Sequence, residues 1–334
     1  MEKSLTRVSL TRGLGWLRRG WHCLLLLTLY THATLGTAAA HTGAPPTPAD
    51  LWQAWNWDPW LLGSLLVVAY LYGRGVVALW QRAGWGRGIT SQQLVLFSLG
   101  MLTLVVALIS PLDALSNALF SAHMVQHMLL IYVAPLFFVL GAPPVLLMWA
   151  LPKPWRRPLN QWWRQGWWHE VSQQLGRWLL NPLTIWALFA LVLWIWHAPV
   201  FYQAAVLNQL IHVLEHISFF SVSLLFCWLL VYAGRSRHMG YGQILLIIFT
   251  TAMHSGLLGA LLTFAATPLY PVYAATVQSW GLTLLVDQQL AGVVMWIPVG
   301  FFYLVATLVL VARWLRELDQ AQASPPATLV QREL

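Results

Sequence analysis

An all-α, polytopic membrane protein, a bundle of seven transmembrane helices, is predicted by three features of this sequence. Apolar runs of about 20 residues, the length that crosses a bilayer, recur along the chain. Only 8% of the 334 residues are charged, while 59% are hydrophobic. Lys and Arg also gather in alternate connections between the apolar runs, the bias that sets the orientation of a membrane protein. This composition excludes an ordinary soluble domain. The formal charge of +8 is accounted for by that bias, so no nucleic-acid partner is predicted; the partner in contact throughout is the lipid bilayer. Cys23 and Cys227 lack metal-ligand spacing, and no structural disulfide is expected.

Residues 1–40 have the layout of a secretory signal peptide. Lys3, Arg7, Arg12, Arg18 and Arg19 form a basic region, Cys23 to Tyr30 a short apolar core, and Ala38-Ala39-Ala40 a cleavage site. An uncleaved signal anchor is the simpler alternative. Cleavage leaves His41 as the new amino terminus. Residues 41–58 form a short external segment, and residues 59–312 the membrane domain.

Asp58-Pro59 reads as an N-cap followed by a first-turn proline and opens span one, about residues 59–80. Span two covers about 93–110 and stops at Pro111. Span three covers about 118–140 and is broken by Gly141-Ala142-Pro143-Pro144, with 145–151 as a short continuation. Asn181-Pro182 opens span four, which ends near Trp196. Spans five, six and seven cover about 207–233, 243–266 and 286–312. Residues 313–334 form a polar cytoplasmic tail.

The basic residues then fall on one side. Arg74, Arg82 and Arg87 lie at or after the end of span one. Lys153, Arg156, Arg157, Arg164 and Arg177 lie between spans three and four, Arg235 and Arg237 between five and six, and Arg313, Arg316 and Arg332 after seven. The amino terminus is therefore expected outside and the carboxyl terminus in the cytoplasm. From Lys153 to Trp178 arginines alternate with tryptophans, the composition of a helix lying in the cytoplasmic interface.

Ionisable residues inside membrane spans are rare and usually functional. Two His-x-x-x-His pairs occur, His123/His127 in span three and His212/His216 in span five. On a helix each pair shares one face, with about 6 Å between partners. Orientation puts both pairs in the outer half of the membrane. His197 ends span four, His254 sits near the middle of span six, and Asp287 starts span seven. Singly, each has a plain structural reading: a helix–helix hydrogen bond for His197 or His254, an N-cap of span seven for Asp287. Two matched pairs are what helix bundles use to hold metals or haem. Four imidazoles suit copper, zinc or iron, and Met124, Met128 and Met253, each next to a histidine in sequence, lean toward copper.

The expected metal ligands are His123, His127, His212 and His216, then Asp287 and His254, with Glu215 and His197 behind them. His212-Val213-Leu214-Glu215-His216 also matches the His-x-x-Glu-His pattern of inverted zinc peptidases, in which Glu215 would be a general base. A haem protein with histidine axial ligands is the other rival. No catalytic residue is assigned on the leading reading.

His123-Met124-Val125-Gln126-His127-Met128, followed by Ala134-Pro135 and Gly141-Ala142-Pro143-Pro144, resembles the CtaG family of caa3-type cytochrome c oxidase assembly factors. So do Trp196-His197-Ala198-Pro199 with Phe201-Tyr202, the His212 to His216 motif, and Asp287-Gln288-Gln289-Leu290-Ala291-Gly292 with Met295-Trp296. The resemblance runs from about residue 55 to 312. It implies a seven-span, multi-pass protein of the bacterial inner (plasma) membrane that serves the respiratory chain by maturing a haem-copper oxidase. It also implies that the chain is not an enzyme and that its partners are cytochrome c oxidase subunits. A copper chaperone on the outer face is a further expected partner. An unrelated single-span copper protein shares the family name; its cysteine motif is absent from this sequence, so copper chemistry does not transfer from it.

Overall fold

The computed structural model describes residues 45–141, 167–232 and 240–323. The signal-like residues 1–40, His41, the continuation at 145–151, the first part of the Trp- and Arg-rich stretch, Arg235, Arg237 and residues 324–334 lie outside these ranges. Among the described residues every regular element is a helix.

The helices begin and end where capping chemistry directs. Helix α1 is Pro59–Ala83, and the Asp58 carboxylate accepts from the Trp60 backbone N–H at 2.8 Å. Helix α2 is Ser91–Leu108, opened by a capping box in which Thr90 and Gln93 each accept the other's backbone N–H. A short α3, Pro111–Ser116, turns the chain into α4, Phe120–Leu140. Leu129–Val133 forms a wider π turn within α4. Pro135, which has no N–H for the Ile131 carbonyl, gives this distortion a local cause.

Helix α5, Trp167–Leu179, leads into α6, Pro182–His197, where Asn181 accepts from Leu183 and Thr184 N–H at 2.9 and 3.4 Å. Helix α7 is Pro199–Leu207, α8 Gln209–Tyr232, α9 Tyr241–Thr263 and α10 Leu284–Ala323. Among the described residues six helices are long and apolar enough to cross a membrane, or seven if the bent pair Gln173–Leu179 and Pro182–His197 counts as one span; the bend is 69°. The all-α, polytopic architecture is thus the one expected.

Two boundaries differ from expectation. Arg74 lies well inside α1, because the helix continues to Ala83; a long side chain there reaches the interface by snorkelling. Helix α10 continues to Ala323, past the apolar run that was expected to end near 312.

One span is the core. Two-thirds of α4 (67%) is buried, against 17% of α1 and 22% of α2. It packs against α2, α8 and α10. Helix α10 also lies along α9, and small residues bring these two backbones together. A Cβ added at Gly292 would stand 2.7 Å from the Gly259 carbonyl oxygen and 2.5 Å from the Thr263 nitrogen. On α4 His123, Gln126, His127 and Tyr132 are all buried within the protein.

Candidate metal centre

Helix α4 starts without a cap of its own, because Leu119 has no side-chain acceptor. Asp287 of α10 supplies it. Its carboxylate accepts from Phe120 N–H at 2.7 Å, from Ser121 N–H at 3.1 Å and from the Ser121 hydroxyl. This exposes the His123/His127 face of α4 to α8. Helix α8 is opened by Asn208, which accepts from Leu210 and Ile211 N–H at 3.0 and 3.2 Å. His212, Glu215 and His216 follow at i, i+3 and i+4, so all three share one face.

The two faces meet. Donor atoms of His123, His127, Glu215 and His216 lie within 4.8 Å of one another. The Nε2 atoms of His123 and His127 are 2.9 Å apart, and each is 3.7 Å from a Glu215 oxygen. The His212 ring centre is 4.2 Å from that of His216 and 5.3 Å from that of His123. His123, His127 and Glu215 are all at most 1% exposed.

Neither oxygen of Glu215 receives a hydrogen bond among the described residues. A buried carboxylate normally needs a cation or strong donors. Donors around a tetrahedral ion at about 2.0–2.1 Å stand roughly 3.3 Å from one another, close to the separations seen here. Three imidazoles and a carboxylate fit a divalent or monovalent transition ion by both spacing and chemistry.

The other expected residues are placed differently. Asp287 is committed to capping α4, not its own helix. His254 lies against Trp186 and Phe189, with ring centres 6.4 and 6.5 Å away, outside the cluster. His197 donates from Nδ1 to the Leu193 carbonyl at 2.7 Å; its ring centre is 6.0 Å from that of His127. Met124 and Met128 belong to the apolar core, and Met253 is 59% exposed on the outer surface of α9. Buried Cys227 packs among apolar side chains of α1, α2, α4 and α8.

Three partners were not foreseen. Buried Asp113 accepts from Gln126 Nε2 at 2.8 Å and from Asn56 Nδ2 at 2.9 Å, while Gln126 also donates to the Ala107 carbonyl at 2.7 Å. These bonds fix the residue next to His127. The rule that picks out Asp287, an acid in an apolar stretch, picks out Asp113 as well. Tyr202 and Tyr273 cover the cluster from the other end, with their hydroxyls 2.7 Å apart. Tyr273, in the connection between α9 and α10, is held well above its ordinary pKa by burial and remains a neutral phenol.

A buried His/Glu cluster between two spans of a helical bundle defines a polytopic membrane protein with a candidate metal centre. The family of cytochrome c oxidase caa3 assembly factors matches residues 70–317, and the chain belongs to that family. Two relatives, from Mycobacterium bovis and Mycobacterium tuberculosis, both described as uncharacterized, are 27% identical over 289 residues, 84% of this chain and 42% of theirs. A Mycobacterium leprae relative, likewise uncharacterized, is 25% identical over 287 residues, 82% of this chain and 41% of its own. The chain thus spans about two-fifths of the length of the curated relatives it matches. No solved structure matches it.

Proposed function

We propose that this chain binds copper at the His123/His127/Glu215/His216 cluster and passes it to a haem-copper oxidase during assembly, without catalysing a reaction of its own. The observation that carries this reading is the meeting of two His-x-x-x-His helices around a carboxylate that receives no hydrogen bond among the described residues. The family supplies the client, a cytochrome c oxidase. The positive-side bias of the sequence supports a cluster in the outer half of a bacterial plasma membrane, where a metal delivered by an external chaperone would arrive.

The zinc-hydrolase reading gains less. A general base must stand beside a water and a substrate, whereas Glu215 is enclosed and its oxygens are directed at histidines of the neighbouring helix. A haem would need a porphyrin-sized space between axial histidines, and His123 and His127 stand within hydrogen-bonding distance.

The test is made in a strain whose own copy is replaced by His216→Ala. The variant is expected to accumulate normally in the membrane. The oxidase should accumulate with reduced copper and activity, and added copper should restore part of both. Full oxidase copper content with the stable variant would remove the handover reading.

A further inference from the structure

We infer that Tyr273 is a positioning residue for the metal centre, and that residues 264–283, which carry it, form a lid whose seating keeps His123 ready to bind metal. The inference rests on the metal-binding reading above and adds to it a control on the site.

The Tyr273 hydroxyl lies 3.1 Å from the Ser116 carbonyl oxygen, 2.7 Å from the Tyr202 hydroxyl and 3.3 Å from His123 Nδ1. A phenol has one proton to give, and its oxygen can accept. The Ser116 carbonyl only accepts, so its contact with Tyr273 is a hydrogen bond only when the Tyr273 proton points to it; the same carbonyl also lies within reach of His123. Both remaining contacts are hydrogen bonds only if Tyr202 and His123 donate to the Tyr273 oxygen. That assignment puts the His123 proton on Nδ1 and leaves the lone pair on Nε2. Nε2 is the atom that faces His127 and Glu215. A metal-binding histidine is normally held in its binding tautomer by a partner on its other nitrogen, and here the Tyr273 oxygen is that partner, with the Ser116 carbonyl as a second acceptor beside it.

The segment that brings Tyr273 is tied down on three sides. The Tyr270 hydroxyl donates to the His197 carbonyl at 2.6 Å, which fixes the lid to the end of α6. Thr276 Oγ1 donates to the Ala118 carbonyl at 2.7 Å, at the start of α4. Leu269 N–H donates to Gln288 Oε1 at 2.6 Å on α10. Phe120 packs against the rings of Tyr202, Tyr270 and Tyr273 together, closing the space above His123. Lifting this segment would open a path to the cluster. The same movement would also remove the acceptor that fixes the His123 tautomer. Entry of metal and loosening of its ligand are therefore one movement.

Two variants of the full chain separate these roles. Tyr273→Phe keeps the ring and loses the hydroxyl; Tyr273→Ala loses both. In metal-free protein, histidine 15N NMR is expected to show His123 protonated at Nδ1 in the wild type and in mixed tautomers in Tyr273→Phe. With Cu(I) alone as the probe, the Phe variant should bind about 10-fold more weakly, the low end of the 10–100-fold loss typical when such a partner is removed. The Ala variant should in addition load metal, and lose it to an external chelator, faster than the Phe variant. An unchanged tautomer in Tyr273→Phe, or wild-type Cu(I) affinity in both variants, would overturn the inference. If the wild-type chain takes up no Cu(I), the metal reading fails instead, and the NMR comparison still decides what Tyr273 does to His123.

Discussion

Glu215→Leu is expected to abolish metal binding and, with a chelator present, to leave the protein at least as stable as the wild type. The two effects have one cause. Glu215 is fully buried, and among the described residues neither of its oxygens receives a hydrogen bond. Without a metal, that carboxylate pays a desolvation cost that the neighbouring imidazoles, 3.7 Å away, offset only in part, and an apolar side chain of similar volume removes it. Replacing buried ionic groups with well-packed apolar ones has been neutral or stabilising by about 1–4 kcal/mol in other proteins. With metal, the order reverses, because only the wild type gains binding free energy in the folded state. Thermal unfolding in detergent, with chelator and then with Cu(I), measures both. A purely structural Glu215 would give the opposite result, a variant less stable than wild type with or without metal.

The second large effect concerns the scaffold. Gly292→Val is expected to prevent stable assembly of the bundle. Its Cβ would meet the Thr263 hydroxyl and, just behind it, the backbone of α9 at Thr263 and Gly259, which cannot swing aside, so the helices must separate. Overpacking of this kind costs about 1–3 kcal/mol and occasionally more. The damage reaches the site through Asp287, which sits on α10 just above Gly292 and caps α4 at Phe120 and Ser121. Gly300→Ala on the same helix is the control, since nothing lies within 4 Å of its added Cβ. Membrane protein level and unfolding temperature should fall for Gly292→Val and stay unchanged for Gly300→Ala.

The sequence reveals those parts of the molecule that are set by local spacing. Helix starts at Pro59 and Pro182 follow from Asp and Asn caps, and the observed bonds from Asp58 and Asn181 are the expected ones. The pairing of His123 with His127, and of His212 with His216, follows from the helical repeat. That the two pairs face each other required the bundle. Contacts between distant parts of the chain leave no periodic trace. Tyr273 meets His123 across 150 residues, and Asp287 caps a helix that begins 167 residues earlier. Asp287 and His254 looked alike from sequence, as polar groups in apolar runs. The structure separates them from the cluster for different reasons. Asp287 is consumed by backbone donors, while His254 faces aromatic rings. Sequence neighbours also mislead on a helix: Met253 adjoins His254 yet is mostly exposed, because adjacent residues point about 100° apart.

The central claim is that α4 and α8 together hold one metal ion. Cu(I) titration of the purified full-length chain against a competing chelator, monitored at the copper edge by X-ray absorption, tests it most directly. The account predicts one tightly held equivalent with scattering from imidazole ligands, lost when either His127 or His216 is replaced by alanine. A folded wild-type chain that leaves all the copper with the chelator, or that binds it equally well without these histidines, would contradict it.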